Sequence, residues 1–209
     1  MIDFYTWTTP NGRKVSILLE ELGVDYEVHS INITQGDQTS PAFLKISPNN
    51  KIPAIIDRDN GISLMESGAI LLYLAKKYGK FLPKDSIVRA KVDEWLMWQM
   101  GGFGPILGQA HHFLHFNPGK SDYAEERFRS EVARLYGVLD RRLEGLDYIC
   151  NDYSIVDMAC WPWVSRYEWQ QVNLADYPNV RSWYQRLLAR DAVQKGYQVP
   201  KHMGKIPQG

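Results

Sequence analysis

The order of two hydrophobic periodicities constrains this chain more than any other feature of its sequence. Over roughly the first 80 residues, β-branched and aromatic strand segments alternate with helical i, i+3, i+4 patterns. Beyond that point only the helical pattern recurs. The sequence therefore predicts an α/β domain over residues 1–80, a linker at about 81–86, and an all-helical domain over 87–209.

Within the first domain, the predicted order is β-α-β-α-β-β-α. A helix face of Val15, Leu18 and Leu22 ends at Gly23, a residue suited to a helix C-terminus. Pro53 lies at the entrance of the third strand, where its missing N–H costs no ladder bond. The strands are predicted at 2–7, 25–33, 52–57 and 62–65, with the later helices at 41–46 and 66–78.

Composition excludes several classes of protein. The 209 residues carry 24 Lys+Arg and 24 Asp+Glu, so no basic excess favours nucleic acid. The longest apolar run, residues 69–75, is far short of the ~20 residues that a membrane span needs. The N-terminal residues lack the features of a signal peptide, and two cysteines are too few for a disulfide framework. We expect a cytoplasmic protein with neither nucleic-acid nor membrane partners.

Three segments make the pattern more specific: 66–74 (Glu-Ser-Gly-Ala-Ile-Leu-Leu-Tyr-Leu), 49–54 (Asn-Asn-Lys-Ile-Pro-Ala) and 154–159 (Ser-Ile-Val-Asp-Met-Ala). They resemble, in turn, the glutathione-anchoring segment, the cis-proline loop and the helix-capping signature of the glutathione transferase superfamily. The resemblance implies a thioredoxin-like N-terminal domain, an all-α C-terminal domain, a homodimer, and glutathione as ligand.

Four further segments narrow the resemblance to the nu class: 9–12 (Thr-Pro-Asn-Gly), the loop 47–54, 108–113 and 134–139. Bacterial members of that class are glutathione-dependent disulfide-bond oxidoreductases. A yeast prion-forming nitrogen regulator shares the fold.

The resemblance assigns Glu66, Ser67 and Ile52 to glutathione binding. Glu66 and Ser67 begin a helix, where backbone N–H groups favour an anion such as the γ-glutamyl carboxylate. A plain helix cap is the alternative for both residues. A cis peptide bond before Pro53 would turn the Ile52 backbone toward the cysteinyl unit, whereas a trans proline at a strand start is the default.

Three other residues are implied only by the resemblance. Lys51 would reach the glycine carboxylate, and Gln38 the backbone of glutathione. The alternative for both is a solvated loop residue. Arg134 would also contact ligand, and its alternative is an ion pair on the helix surface.

The loop after the first strand has no Cys-x-x-Cys, so any reactive sulfur would have to come from glutathione. Asn11 and Thr9 can donate hydrogen bonds that favour a thiolate, although turn and N-cap chemistry also explains this loop. Cys150 and Cys160 are expected to be inert core residues. Asn11 and Thr9 are therefore the candidate catalytic residues, and Asn11 is also a binding residue.

No metal is expected, because His111 and His115 form an i, i+4 pair without a third ligand at matching spacing. The preferred function is reduction of small or mixed disulfides by bound glutathione. A glutathione transferase or peroxidase is the alternative within the enzyme class. A non-catalytic glutathione-binding regulator is the alternative outside it, and the absence of a disordered N-terminal extension from this sequence argues against it.

Overall fold

A computed structural model describes residues 1–209, which divide into two compact units. The first unit comprises Met1–Leu82 together with Arg190–Ile206. The second comprises Pro83–Ala189 together with Pro207–Gly209. The division of the sequence at residue 87 did not anticipate that Arg190–Ile206 belongs with the first unit.

A four-stranded sheet forms the centre of the first unit. Its strands are β1 (Ile2–Thr6), β2 (Tyr26–Ser30), β3 (Ala54–Asp57) and β4 (Ile62–Met65), in the spatial order β2-β1-β3-β4. β1 runs parallel to β2 and antiparallel to β3, while β3 and β4 are antiparallel. This is the predicted thioredoxin-like sheet, and the element order of the sequence analysis is confirmed.

The helices of the first unit begin and end at residues whose backbone chemistry suits a terminus. They are α1 (Pro10–Leu22), α2 (Pro41–Leu44) and α3 (Ser67–Tyr78). Gly23 ends α1 in the left-handed conformation, with φ 67°. The third strand starts two residues later than predicted, because Pro53 precedes the ladder and cannot donate to it.

The second unit contains only helices, as predicted: α4 (Ser86–Trp98), α5 (Gly104–Ala110), α6 (Asp122–Arg142), α7 (Ile155–Val164) and α8 (Pro178–Leu188). A π-helical turn at Gln99–Phe103 joins α4 to α5, and a second π-helical segment spans His111–Phe116. The capping box of Ser154 and Asp157 opens the wholly buried α7. No helix has both the length and the apolar composition needed to cross a membrane.

The last helix, α9 (Asp191–Tyr197), packs on α1 within the first unit. The Ser16 hydroxyl donates to the Gly196 carbonyl over 2.6 Å, and Arg13 Nε donates to the Tyr197 carbonyl over 3.0 Å. Arg190 pairs with Glu21 through two hydrogen bonds of 2.6 and 2.9 Å. These contacts between α1 and the far end of the chain explain why Arg190–Ile206 groups with the first unit.

Candidate functional site

A cavity of about 340 Å³ opens in the first unit at the N-terminus of α1. Five of the predicted site residues line it, together with two that the sequence analysis did not select. The lining residues are Thr9, Asn11, Gln38, Lys51 and Ile52, with Ile33 and Asn50 as the additions.

The head of α1 is held by a cap and by a close backbone approach. Thr9 is the N-cap, and its Oγ1 accepts the Gly12 N–H over 3.2 Å. A Cβ on Gly12 would come within 2.5 Å of the Trp7 carbonyl oxygen, so glycine is required for this turn. The cap predicted as an alternative role for Thr9 is therefore present, and Thr9 and Asn11 both face the cavity at this turn.

The loop between α2 and β3 forms a second wall. Ser47 is fully buried, and its hydroxyl donates to the Lys51 carbonyl over 2.8 Å. The Asn50 N–H in turn donates to the Ser47 carbonyl over 2.9 Å. The peptide bond between Ile52 and Pro53 is cis, as the resemblance implied. Ser47 thus ties together the loop that presents Lys51 and Ile52 to the cavity.

Asn50, which lines the cavity, and Glu66, which is not among its lining residues, hold backbone conformations that favour glycine. Asn50 has φ 47° and Glu66 has φ 69°. Asparagine tolerates the left-handed region, but a glutamate there costs about 1–3 kcal/mol. The Glu66 side chain makes no capping bond to α3 and instead accepts from Asn49 Nδ2 over 3.4 Å. Its exposed carboxylate therefore does not serve as the helix cap that was the alternative interpretation.

Ser67 is the first residue of α3 and is buried. Its Oγ accepts a hydrogen bond of 3.2 Å from Lys14 Nζ, which reaches across from α1. Backbone N–H groups at the start of α3 add a favourable field for an anion. The pair of Glu66 and Ser67 thus offers an acceptor for an ammonium beside donors for a carboxylate.

Gln38 has an unusual environment for a loop glutamine. Its Oε1 is buried and accepts no hydrogen bond within the chain. An unpaired buried acceptor costs about 1–3 kcal/mol. Gln38 also lines the cavity. A ligand in this space could therefore supply the hydrogen bond that its buried Oε1 lacks within the chain.

Arg134 and the two cysteines lie in the second unit, outside the set of residues that line the cavity. Arg134 holds Glu131 through two hydrogen bonds of 2.7 and 2.6 Å, which is the ion pair of the alternative interpretation. Cys150 and Cys160 are buried and form no disulfide. Burial raises the pKa of the Cys150 thiol to about 12, with the Asp157 carboxylate adding to the effect.

The histidines of the second π-helical segment belong to aromatic packing. His111 is buried against Trp163, and its Nε2 lies 3.0 Å from Gln170 Nε2. His115 stacks on Trp169 with ring centroids 4.4 Å apart. These contacts account for the two side chains that form the i, i+4 pair.

A separate group of potential metal ligands lies on the neighbouring strands β1 and β2. One ligand atom from each of Asp3, Glu27 and His29 lies within 4.8 Å of the others. The Arg58 guanidinium bridges Asp3 and Glu27 there, and its hydrogen bonds lower the pKa of Asp3 to about 2. Arg58 thus already supplies the positive charge that this acidic group needs.

Sequence reasoning missed Lys14, Asn50 and Ile33 as neighbours of the site. Lys14 follows Asn11 by three residues, so the two share a helix face, and that spacing was a usable signal. Asn50 lies within the quoted loop segment 49–54. Ile33 carries no chemical signal, and only the fold shows that it lines the cavity.

Comparison with known protein families identifies the class. Residues 4–83 match the family described as glutathione S-transferase, N-terminal domain, and residues 122–186 match its C-terminal domain. The chain belongs to the glutathione S-transferase family, and the resemblance seen in the three motifs is confirmed.

Individual relatives narrow the class further. The chain is 50% identical over 199 residues to the disulfide-bond oxidoreductase YfcG of Escherichia coli (strain K12), covering 92% of this chain and 93% of the relative. A glutathione transferase from Burkholderia graminis, crystallised with two glutathione molecules per subunit, superposes with a TM-score of 0.91 at 42% identity. That alignment covers 97% of this chain and 89% of the other.

A glutathione transferase from Pseudomonas putida, crystallised with one glutathione disulfide per subunit, gives a TM-score of 0.90 at 43% identity. It covers 95% of this chain and 91% of the other. The nu-class-like resemblance, to bacterial disulfide-bond oxidoreductases, is therefore confirmed.

Proposed function

We propose that this chain is a glutathione-dependent disulfide-bond reductase that uses the thiolate of bound glutathione in place of a protein cysteine. The observation that carries the proposal is the cavity at the head of α1, which Thr9 and Asn11 line and no cysteine does. The 50% identity to YfcG supports the same reaction class. The glutathione and glutathione disulfide held by the two neighbouring structures support the ligand.

In this proposal, the start of α3 binds the γ-glutamyl end. Ser67 and the backbone N–H groups donate to the α-carboxylate, and the exposed Glu66 carboxylate accepts from the ammonium. The backbone strain at Glu66 supports this role, because strained residues persist where their placement serves a site.

The cavity walls would bind the rest of the tripeptide. The Ile52 backbone pairs with the cysteinyl unit, Lys51 with the glycine carboxylate, and the Gln38 amide with the peptide backbone. The unpaired buried Oε1 of Gln38 supports a ligand on that side. Arg134 completes the proposed set; its Nε and Nη2 bond Glu131, and Nη1 lies outside that ion pair.

The reaction needs only a positioned thiolate and a disulfide. Donors from Asn11 and Thr9 favour the thiolate of bound glutathione over its thiol. The thiolate attacks one sulfur of the substrate disulfide, that S–S bond breaks, and the departing thiolate takes a proton from water. A second glutathione thiolate attacks the glutathione sulfur of the mixed disulfide, that S–S bond breaks, and glutathione disulfide forms; the departing substrate thiolate takes a proton from water.

The proposal is tested by comparing two substrates on one preparation with saturating glutathione. We expect much faster turnover of hydroxyethyl disulfide than of a chloronitrobenzene, because the Thr9 and Asn11 side chains in the loop offer only neutral donors. Asn11→Ala should lower the disulfide rate by about 10²-fold, the scale of losing one preorganised donor.

Asn60→Ala is the matched control. Asn60 lies in the β3–β4 turn, donates a hydrogen bond to the Tyr73 hydroxyl, and does not line the cavity. Faster conjugation than disulfide reduction, or an Asn11→Ala protein as active as the parent, would favour the transferase alternative. Turnover of neither substrate by a protein that binds glutathione would favour the regulatory one.

We further propose that the protein is cytoplasmic and homodimeric, on the strength of the family resemblance. Light scattering should give twice the chain mass of 24.1 kDa. A mass of one chain at micromolar concentration would contradict the dimer. Fractionation of the source cells tests the location.

A further inference from the structure

Lys14 is a buried lysine beside the proposed anchor for the γ-glutamyl group. It is 1% exposed, and lysine is among the residues least often buried unless it has a partner. Its Nζ donates to Ser67 Oγ over 3.2 Å. The burial and the contact join a side chain of α1 to the first residue of α3.

The chemistry of the two groups gives this contact a direction. A lysine ammonium has three donors and no acceptor, so the Ser67 oxygen is the acceptor in the hydrogen bond with Lys14. The Ser67 hydroxyl hydrogen is thereby turned away from Lys14, toward other acceptors. When it is protonated, Lys14 also adds a positive charge at the helix end that already favours an anion.

Lys14 also connects the two ends of the proposed ligand site. Asn11 and Lys14 are three residues apart on α1 and therefore lie on neighbouring turns of one face. Asn11 lines the cavity, while Lys14 holds Ser67. A single helix, α1, therefore fixes the position of Asn11 relative to that of Lys14, which bonds Ser67.

Resting on the proposed function, we propose that Lys14 is a positioning residue. It orients the Ser67 hydroxyl and places positive charge behind the glutamyl α-carboxylate. Its consequence is specificity: the site selects thiols that carry this carboxylate over thiols that lack it.

The test compares two ligands by calorimetry, or by competition where binding is weak. The first is glutathione. The second is 4-aminobutyryl-cysteinyl-glycine, which is glutathione without the glutamyl α-carboxylate. In Lys14→Met, the ratio of the analogue's Kd to that of glutathione should fall about tenfold or more, as expected for loss of a charge-assisted interaction. The Kd of the analogue itself should not change.

Two comparisons isolate the mechanism. Lys76→Met removes an equal charge from an exposed lysine of α3 and should leave the ratio at the parental value. Ser67→Ala should lower the ratio, and adding Lys14→Met to it should lower the ratio little further, because Lys14 acts through Ser67. If Lys14→Met does not fold, Lys14→Gln makes the same comparison.

Equal weakening of both ligands in the Lys14 variant, or no change in either, would overturn the positioning role. Full additivity of the Lys14 and Ser67 changes would overturn the route through Ser67. A parent protein that binds neither peptide would contradict the proposed function itself, which separates that failure from a failure of Lys14.

Discussion

Thr9 serves the fold and the candidate site with one hydroxyl. Its oxygen accepts the Gly12 N–H and so caps α1, while the side chain lines the cavity. Because Thr9 Oγ1 uses only a lone pair to accept this bond, its hydroxyl hydrogen can still donate to another group. Structural and chemical interpretations of this loop are therefore compatible, and a mutation must be chosen to separate them.

Thr9→Ala should lower the free energy of unfolding by about 0.5–2 kcal/mol through loss of the cap. It should reduce the disulfide rate less than Asn11→Ala does, because the amide and backbone donors remain. Thr9→Ser keeps the hydroxyl and should retain both properties. Urea denaturation and the rate on hydroxyethyl disulfide measure the two effects. A rate loss in Thr9→Ala equal to that of Asn11→Ala would make Thr9 the main donor.

At the scale of elements, α9 completes the packing of α1. Gly196 lies so close that an added Cβ would be 2.7 Å from the Ile17 backbone, a distance that real Cβ atoms do not show. The N-terminal turn of the same helix, α1, carries Thr9 and Asn11. The close approach of the two helices therefore requires glycine at this position.

Gly196→Ala should lower the free energy of unfolding by about 1–3 kcal/mol, as overpacking does. Gly137→Ala on α6 is the matched control, because its Cβ would meet only the flexible Arg141 side chain at 3.4 Å. That change should be neutral or stabilising by up to ~1 kcal/mol, from helix propensity alone. Equal effects of the two substitutions in chemical denaturation would contradict the close-packing argument.

The second π-helical segment contains a histidine that the fold keeps neutral. Gln170 Nε2 donates to the Trp163 carbonyl over 2.8 Å, while Gln170 Oε1 accepts from Tyr136. The amide nitrogen therefore faces His111 Nε2 as a donor, and that ring nitrogen must accept. Burial, followed by the Arg166 charge, lowers the pKa of His111 to about 3.

This arrangement predicts a loss of stability on mild acidification. Between pH ~6.5 and 3 the unfolded chain binds a proton at His111 that the folded chain does not, so the free energy of unfolding falls by up to ~1.4 kcal/mol per pH unit. Above pH ~6.5 His111 is neutral in both the folded and the unfolded chain, so it no longer lowers the free energy of unfolding. His111→Asn should remove this part of the slope from pH 7 to 5, whereas exposed His202→Asn should not. Parallel profiles for the parent and His111→Asn would contradict a neutral buried His111.

At the scale of the whole molecule, the cysteines and the candidate site belong to different units. Cys150 and Cys160 lie in the helical unit, and the cavity is lined only by residues of the first. The Cys150 thiol, whose pKa burial raises to about 12, is almost entirely protonated at neutral pH and is a poor nucleophile. The distribution of sulfur in the molecule thus agrees with glutathione as the only reactive thiol.

The Cys150→Ala, Cys160→Ala double variant should therefore keep its disulfide reductase activity at saturating glutathione. The expected cost is in stability alone, since both side chains are buried. Activity is measured well below the unfolding temperature of the variant, with calorimetry of glutathione binding as the control. Loss of activity with binding and fold intact would show that a protein thiol takes part.

Much of the fold was predictable because its signals are local. The left-handed Gly23 and the Ser154 capping box each act within a few residues, and both are where the sequence predicts them. The destination of Arg190–Ile206 was not predictable in this way. It depends on contacts between Ser16 and Gly196, which are 180 positions apart.

The features of the candidate site also separate into those that depend on local sequence and those that depend on long-range contacts. By itself, the sequence determined the order of elements, the absence of a Cys-x-x-Cys loop, and the motifs that place Asn11 and Ser67 in the first turns of helices and Ile52 directly before Pro53. Those properties depend on local backbone preference and side-chain type. Only the tertiary structure decided that the α1 turn and the 47–52 loop share one cavity, that Glu66 is strained, and that Lys14 reaches Ser67. Such contacts arise when distant segments are packed together, because the free energy of burial depends on the area covered and carries no record of sequence separation.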